Sequence, residues 1–266
     1  MHATTLALVG ATGGAGTTRT AVELAAVGAR GGHEVAVVDA AFTTQGLSEY
    51  VAGRIDTDLT ALLTDETESS LSAAAYPLGG AGASGVASEP NARGVTSDGR
   101  VDIVPARAPF ERLARAKTAA AARKLERRIE EATSTHDAVV LDVAPVGSNE
   151  AVAAVTAADR VETVRPASDH GRDALQRLRG RMADVGATVD GSIAVAARDR
   201  HVDPAESSAD TVLSAVDPEV AAAPTTARGD GAYTRALRDT YERAFGVSLE
   251  IDVADSGLID RLRPSN

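Results

Sequence analysis

The sequence predicts an α/β fold: a doubly wound, mostly parallel sheet with helices on both faces, in three α/β/α layers. Three observations predict it. Short β-branched runs alternate with longer helix-compatible stretches along most of the 266 residues. Several of the short runs are apolar without interruption, as strands covered on both faces must be. The first of them feeds a glycine-rich loop that opens straight into a helical stretch.

In chain order, Thr5–Val9 and Glu34–Asp39 are the first two strands, and Thr18–Ala29 is the helix joining them. Val101–Val104 is a third strand and Glu111–Ala132 a long helix after it. Ala138–Asp142, Arg160–Val164 and Ser192–Ala196 are further strands, separated by helices Glu150–Ala157 and His170–Val185, the second with Asp169 as its N-cap. Helices Pro204–Val216 and Gly231–Phe245 complete the pattern, and no repeat of 20–50 residues appears. Residues 78–100, LGGAGASGVASEPNARGVTSDGR, break the rhythm. They are nearly all small, turn-forming or polar, with too little apolar content to offset their own ordering entropy. The expected organisation is one domain over 1–247 with a flexible insertion at 78–100, then a tail at 248–266.

The functional signal lies in residues 6–40, LALVGATGGAGTTRTAVELAAVGARGGHEVAVVDA. Gly10, Gly13, Gly14 and Gly16 are more glycines than a tight turn needs. They let backbone N–H groups approach an anion, and the helix N-terminus behind them carries partial positive charge, which together make a phosphate cradle. Two patterns compete for this loop. Gly10-Ala-Thr-Gly13-Gly-Ala-Gly16 matches the G-x-x-G-x-x-G loop of short-chain dehydrogenases, with Asp39 suited to a ribose. The stretch from Gly16 to Gly32 is longer than that family's connecting helix, however. Its Tyr-x-x-x-Lys pair is also impossible, because the residues four before Lys117 and Lys124 are Leu113 and Ala120.

The spacing instead resembles the ParA/MinD family of P-loop ATPases (the SIMIBI class), whose loop reads KGGVGKTT. On that pattern Thr12-Gly-Gly-Ala-Gly-Thr-Thr-Arg19 is the loop, and Asp39 in VVDAAFTTQGL stands at the first aspartate of the D-x-D-P-Q-G segment. DLTALLTD (58–65) and LSAAAYPL (71–78) look like the stretch that follows. VDIVPA (101–106) resembles the family's LDVLPA, and HDAVVLDVAP (136–145) its Walker B strand, with Asp142 as the Walker B aspartate. AADRVETVRPASDHGRDAL (157–175) is similar to the next strand and helix. SIAVAARD (192–199) and VDPEVAAA (216–223) resemble the segments near the base, which implies a base contact at Arg198. The resemblance runs in order over nearly the whole chain. It implies an ATP or ADP site on Gly13, Gly14, Ala15, Gly16, Thr17 and Thr18, with Mg²⁺ held by Thr18, Asp39 and Asp142.

The departures shape the functional expectation. The family's two loop lysines, one reaching across an ATP-bridged dimer and one along the β/γ-phosphates, align with Thr12 and Thr17. The second D-x-D aspartate, implicated in activating water, aligns with Ala41. A charge-assisted hydrogen bond contributes roughly 1.5–3 kcal/mol, so losing two lysines weakens triphosphate binding by about 10²–10⁴-fold. Hydrolysis loses more, because phosphoryl transfer depends on positioning and electrostatic stabilisation. Arg19, inside the first helical turn, is expected to point away from the phosphates.

Composition sets the remaining bounds. Asp+Glu number 38 against Lys+Arg 27, giving −11, and only Lys117 and Lys124 are lysines. This acidic, lysine-poor, Ala-, Asp-, Thr- and Val-rich chain looks like the proteins of a salt-in, haloarchaeal-like cell; a high-GC genome is the alternative. A net negative surface repels phosphate backbones, so DNA is not an expected partner. Arg112, Arg115, Lys117, Arg123, Lys124, Arg127 and Arg128 crowd into residues 109–132, which reads as a solvated helix face before a docking stripe. With no cysteine, a disulfide framework, a zinc-thiolate site and a cysteine nucleophile are all excluded. The five histidines are scattered, with His170 and Arg172 reading as ordinary residues of a helix start, and no G-x-S-x-G elbow occurs. No run of 18 apolar residues exists, residues 1–5 carry no basic n-region, and the acidic C-terminus lacks a cationic membrane face, so the expected address is the cytoplasm without a membrane partner.

These readings converge on a degenerate ParA/MinD-like protein. It is expected to bind ATP/ADP and Mg²⁺ weakly, with no covalent cofactor and no assigned catalytic residue. Its role would be a partitioning, positioning or regulatory partner-binding module, as a homodimer or as a heterodimer with an intact ParA/MinD-like ATPase. The alternatives are an active partitioning ATPase and a structural subunit that binds no nucleotide.

Overall fold

Eight strands form one sheet in the computed structural model, which describes residues 4–65, 69–78, 99–197, 207–227 and 229–251. They are β1 (Thr5–Gly10), β2 (Glu34–Ala40), β3 (Tyr76–Pro77), β4 (Arg100–Val104), β5 (Ala138–Val143), β6 (Arg160–Pro166), β7 (Gly191–Val195) and β8 (Thr211–Leu213). The spatial order is β3-β4-β2-β5-β1-β6-β7-β8, and only the β3–β4 pairing is antiparallel. Helices α1 (Thr17–Arg30), α2 (Leu59–Thr64), α3 (Phe110–Ala116), α4 (Ala119–Thr133), α5 (Asn149–Ala157), α6 (Asp169–Asp184) and α7 (Ala232–Phe245) flank it.

Strand alternation sorts the core into two layers. Ala7, Val9, Val38, Val139 and Leu141 face the side covered by α2, α4, α5 and α6. Leu6, Leu8, Val37, Val140 and Ile193 face α1 and α7. Strands β1 and β5 are buried along their full length, which is why they read as unbroken apolar runs. The expected three-layer, doubly wound architecture is the one observed.

Three expectations are corrected. The single helix over Glu111–Ala132 is two helices, because Thr118 ends one and caps the next: its hydroxyl accepts from the Ala121 N–H at 3.3 Å. The helix expected over Pro204–Val216 does not continue beyond Ser207 among the described residues. Thr211–Leu213 is instead β8, adding to the free edge of β7, with the Ala196 N–H bonded to the Leu213 carbonyl at 2.9 Å. The cap of α6 is Ser168, not Asp169, its hydroxyl accepting from the Gly171 N–H.

Most of the insertion, residues 79–98, lies outside the described residues, as do 252–266 of the tail. Both ends of the insertion are anchored in the fold. Leu78 bridges Val51 and donates its N–H to the Val101 carbonyl at 3.1 Å. Gly99 packs so closely on the Ala29 and His33 carbonyls that a Cβ has no room there.

Candidate functional site

The carboxyl ends of β1, β2 and β5 meet at one point because the sheet reverses its winding there. Leu8 of β1 is in register with Asp142 of β5, and Asp142 is in register with Asp39 of β2. The loops leaving these three strands border a cleft of about 320 Å³, lined by residues 12–19 together with Gly10, Ala41, Thr44 and Asp142.

The first loop supplies backbone. Gly14 and Gly16 have φ of 71° and 87°, the left-handed region glycine enters without strain, and Gly16 is the N-cap of α1. No side chain caps that helix, so the amides of its first turn face the cleft without a local acceptor. All six loop residues of the expected nucleotide site, Gly13 to Thr18, line it. Arg198, the expected base contact, lies outside the described residues.

Acidic groups sit at the cleft floor. The Thr18 hydroxyl donates to Asp142 Oδ2 at 2.6 Å. Asp142 is 1% exposed, and its Oδ1 is buried with no partner among the described residues. Asp39 is fully buried, accepting from the Ala41 N–H at 2.9 Å on one oxygen and from the Ala106 N–H at 3.3 Å on the other. Burial pushes both carboxyls above the usual range, and the charge of Asp142 raises Asp39 further. For Asp142 the Thr18 hydrogen bond works against that rise.

An orphaned carboxylate oxygen beside a threonine hydroxyl is a donor set that fits Mg²⁺, which takes few protein oxygens and completes its shell with water and phosphate. Among the described residues no group of three or more His, Asp or Glu could hold a metal by itself.

Among the described residues, few cations border this cleft. Thr12 and Thr17 line it where the resemblance would put lysines, and Ala41 offers only a backbone N–H to Asp39. The guanidinium of Arg19 is held by Glu23 of its own helix and by acceptors in residues 217–225. Its Nε pairs with Glu23 at 2.7 Å, Nη1 donates to the Asp217 and Glu219 carbonyls, and Nη2 donates to the Thr225 hydroxyl. Lys117 is held between the Thr43 hydroxyl at 2.6 Å and Glu150 at 3.8 Å. Much of the basic run is likewise spent inside the fold: Arg112 pairs with Asp58, Arg128 with Glu131, and Lys124 with the Asp65 carbonyl.

Sequence reasoning missed the buried Glu23. Its two oxygens accept from Arg19, from the Thr225 and Thr226 N–H groups and from the Thr226 hydroxyl, pinning residues 225–226 to α1. The available signal was a lone glutamate in the apolar run AVELAAV. A second cleft, of about 310 Å³, lies between α4 and Asp159, whose carboxylate is already bonded to Thr4 and Thr5. It offers no comparable unpartnered group.

No family model matches the sequence, and no curated protein matches it. Solved structures do. A septum site-determining protein MinD with Mg-ADP, from Pyrococcus horikoshii, superposes with a TM-score of 0.68 at 18% identity, covering 90% of this chain and 95% of its own. The MinD of a MinC:MinD cell division complex from Aquifex aeolicus gives 0.66 at 16% identity, over 94% and 98%. The ATP complex of a Cyanothece McdA variant gives 0.64 at 17%, over 94% and 99%. At such identities the likeness establishes the shared α/β fold over nearly the full length of each chain.

Proposed function

We propose that this chain is a ParA/MinD-like nucleotide-binding protein that holds ATP or ADP with Mg²⁺ weakly and turns it over poorly or not at all. Its role would be that of a positioning or regulatory module acting through a protein partner, either a second copy or an intact ParA/MinD-like ATPase. The observation that carries the reading is the convergence of Thr18 and Asp142 at 2.6 Å, with a free Asp142 oxygen, on the floor of a glycine-lined cleft.

Gly13 to Gly16 and the first turn of α1 would present backbone amides to the phosphates. Thr18, with Asp142 and Asp39 behind it, would hold Mg²⁺, which supplies charge neutralisation to the β- and γ-oxygens when bound. Amides and one divalent ion support binding. Acceleration of transfer is favoured by cationic side chains at the phosphates, and among the described residues Arg19 and Lys117 are engaged elsewhere. The similar structures carry Mg-ADP, ATP and a MinC partner in their own descriptions, which supports nucleotide and partner binding as the first things to test here.

Calorimetry with Mg-ATP and Mg-ADP in molar KCl, followed by phosphate release over hours, tests the proposal. The expected result is measurable binding, about 10²–10⁴-fold weaker than a lysine-bearing loop would give, with turnover near background. Steady hydrolysis would establish an active ATPase. Absence of any binding would leave a structural subunit.

A further inference from the structure

Among the described residues only two other than glycine hold a positive φ, and one of them is Gln45 at 52°. The left-handed region is unfavourable for such a residue by itself, so its surroundings must hold it there. What holds Gln45 is the backbone of Ala108. Its Oε1 accepts from the Ala108 N–H at 2.7 Å, and its Nε2 donates to the Ala108 carbonyl at 3.3 Å. Both hydrogen-bonding groups of Ala108 are thus taken up by one side-chain amide. The neighbours of Gln45, Thr44 and Gly46, line the glycine-rich cleft, whereas Gln45 itself does not.

This clamp joins the loop that leaves β2 to the loop that leaves β4, two strands paired side by side. Each loop carries contacts to the groups that would hold the divalent ion. From the first, the Ala41 N–H reaches Asp39 Oδ1 at 2.9 Å, and Gly46 passes Thr18 so closely that a Cβ on it would stand 3.4 Å from Thr18 Oγ1. From the second, the Ala106 N–H reaches Asp39 Oδ2 at 3.3 Å. Gln45 is therefore the residue next to the contact with Thr18, and its partner Ala108 follows closely on the contact with Asp39.

We infer that Gln45 is a positioning residue for the divalent-ion site, its amide clamping the Ala108 backbone so that Thr18 and Asp39 are held at a fixed spacing. The inference rests on the nucleotide-binding reading above, and adds to it a residue outside the cleft that governs the ion rather than the phosphates. Residues behind metal ligands act in this way: they touch neither ion nor substrate, yet they orient the groups that do, and their loss weakens metal binding about 10–100-fold. Gln45 makes no hydrogen bond to residues 13–18, which would take the phosphates, so nucleotide binding without the ion should not depend on it.

The test is calorimetric titration of the full chain with ADP, once in excess Mg²⁺ and once in EDTA. Wild type is expected to bind ADP more tightly with the ion than without it. Gln45→Gly relieves the left-handed backbone and deletes the amide. Its affinity in EDTA should match wild type, while its affinity in Mg²⁺ falls about tenfold or more. Gln45→Asn tolerates the left-handed region but is too short to reach Ala108, so it should lose as much, and it serves if the glycine variant does not fold. Circular dichroism shows which variants are folded. Electron paramagnetic resonance with Mn²⁺ in the presence of ADP reads the ion directly: the variants should leave more of the free-ion signal than wild type. A folded variant that keeps the full Mg²⁺ gain, or one that loses affinity equally with and without the ion, overturns the positioning role and leaves the nucleotide reading intact. Wild type without any Mg²⁺ gain overturns the ion site and the inference with it. Wild type that binds ADP in neither condition overturns the nucleotide reading as well.

Discussion

Asp39 and Asp142 stand opposite each other in register on neighbouring parallel strands, each no more than 1% exposed to solvent. Registered residues on adjacent strands project to the same face of the sheet, so two carboxylates are brought together away from water. Their local bonds do not neutralise them: two backbone N–H groups reach Asp39 and one hydroxyl reaches Asp142. Two like charges so placed cannot both ionise cheaply, so burial and mutual repulsion push the pair toward its protonated form.

That proton makes stability fall as pH rises. Asp39 is pushed up to about 8 in the fold, from an ordinary 3.8, so between those limits the native state carries a proton that the unfolded chain has lost. The contribution is complete below the lower value and disappears as pH passes the upper one. The thermal midpoint is expected to decline from about pH 5 to above pH 8, by more than the remaining carboxylates explain. Asp39→Asn, which cannot ionise, should flatten that decline and raise the midpoint at the alkaline end. Mg²⁺ should do the same for wild type by binding the ionised pair and releasing the proton. Identical slopes for wild type and variant would show that the pair does not hold a proton.

Thr18 links the cleft to that pair, and its hydroxyl is expected to be worth more than its methyl. Thr18→Val preserves shape but strips Asp142 of its one side-chain partner and removes an oxygen from the ion's shell. Mg-ADP affinity should fall about tenfold or more, while Thr18→Ser restores it. Titration with and without Mg²⁺ separates the two roles: a loss that persists without the ion would place the hydroxyl on the nucleotide instead.

The strand, loop and helix of residues 5–30 were legible because local signals agreed there: an unbroken apolar run, then glycines, then a helical stretch. The helix expected over Pro204–Val216 failed for the opposite reason. A β-branched pair, Thr211-Val212, was outvoted by its neighbours until the free edge of β7 recruited it. The break at Thr118 was hidden because its flanks, ARA and AAA, both favour helix, and one hydroxyl cap decides the matter. Asp39 and Asp142 could be named from the resemblance, but their mutual burial and the orphaned oxygen are facts of packing between strands about a hundred residues apart. Glu23 showed only as a lone glutamate in an apolar run, because its partners other than Arg19 lie some two hundred residues along the chain.

Glu23 gives a stability prediction of its own. Removing it by Glu23→Ala leaves Arg19 Nε and the Thr225 and Thr226 donors without their acceptor in a buried place. Breaking a buried charged pair from one side costs about 3–5 kcal/mol, of which Glu23→Gln should lose only part, since its amide oxygen still accepts. Urea unfolding measures both. A loss below about 1 kcal/mol for alanine would show that water replaces the carboxylate without penalty.

Packing of α1 on α7 sets opposing effects against each other at Gly28. Alanine is a better helix former than glycine by about 1 kcal/mol, so propensity alone favours Gly28→Ala. The new methyl, however, would sit 2.5 Å from Tyr241 Cε2 and 2.6 Å from Cζ. Tyr241 cannot simply yield: it is fully buried, its hydroxyl is 2.9 Å from His33 Nδ1, and its ring packs 4.5 Å from Phe245. Overpacking of this kind costs about 1–3 kcal/mol, so a net loss of stability is expected with nucleotide affinity unchanged. A stabilised variant would mean that α7 shifts freely on α1.

Salt should stabilise the fold, and the sign follows from which electrostatic effect is larger. Exposed ion pairs such as Arg54–Asp56 and Arg172–Asp169 weaken on screening, but surface pairs contribute at most about 1 kcal/mol each. Repulsion among the excess carboxylates of a chain with net charge −11 acts over the whole surface and is relieved by the same ions. Molar salt, with a Debye length of about 3 Å, removes nearly all of it, while millimolar buffer leaves it in force. The unfolding midpoint should therefore climb steadily from low salt into the molar range, and choline chloride should act as well as KCl because screening ignores ion identity. Full cooperative stability in millimolar buffer would show that the acidic surface is tolerated without salt, and would count against a salt-adapted origin.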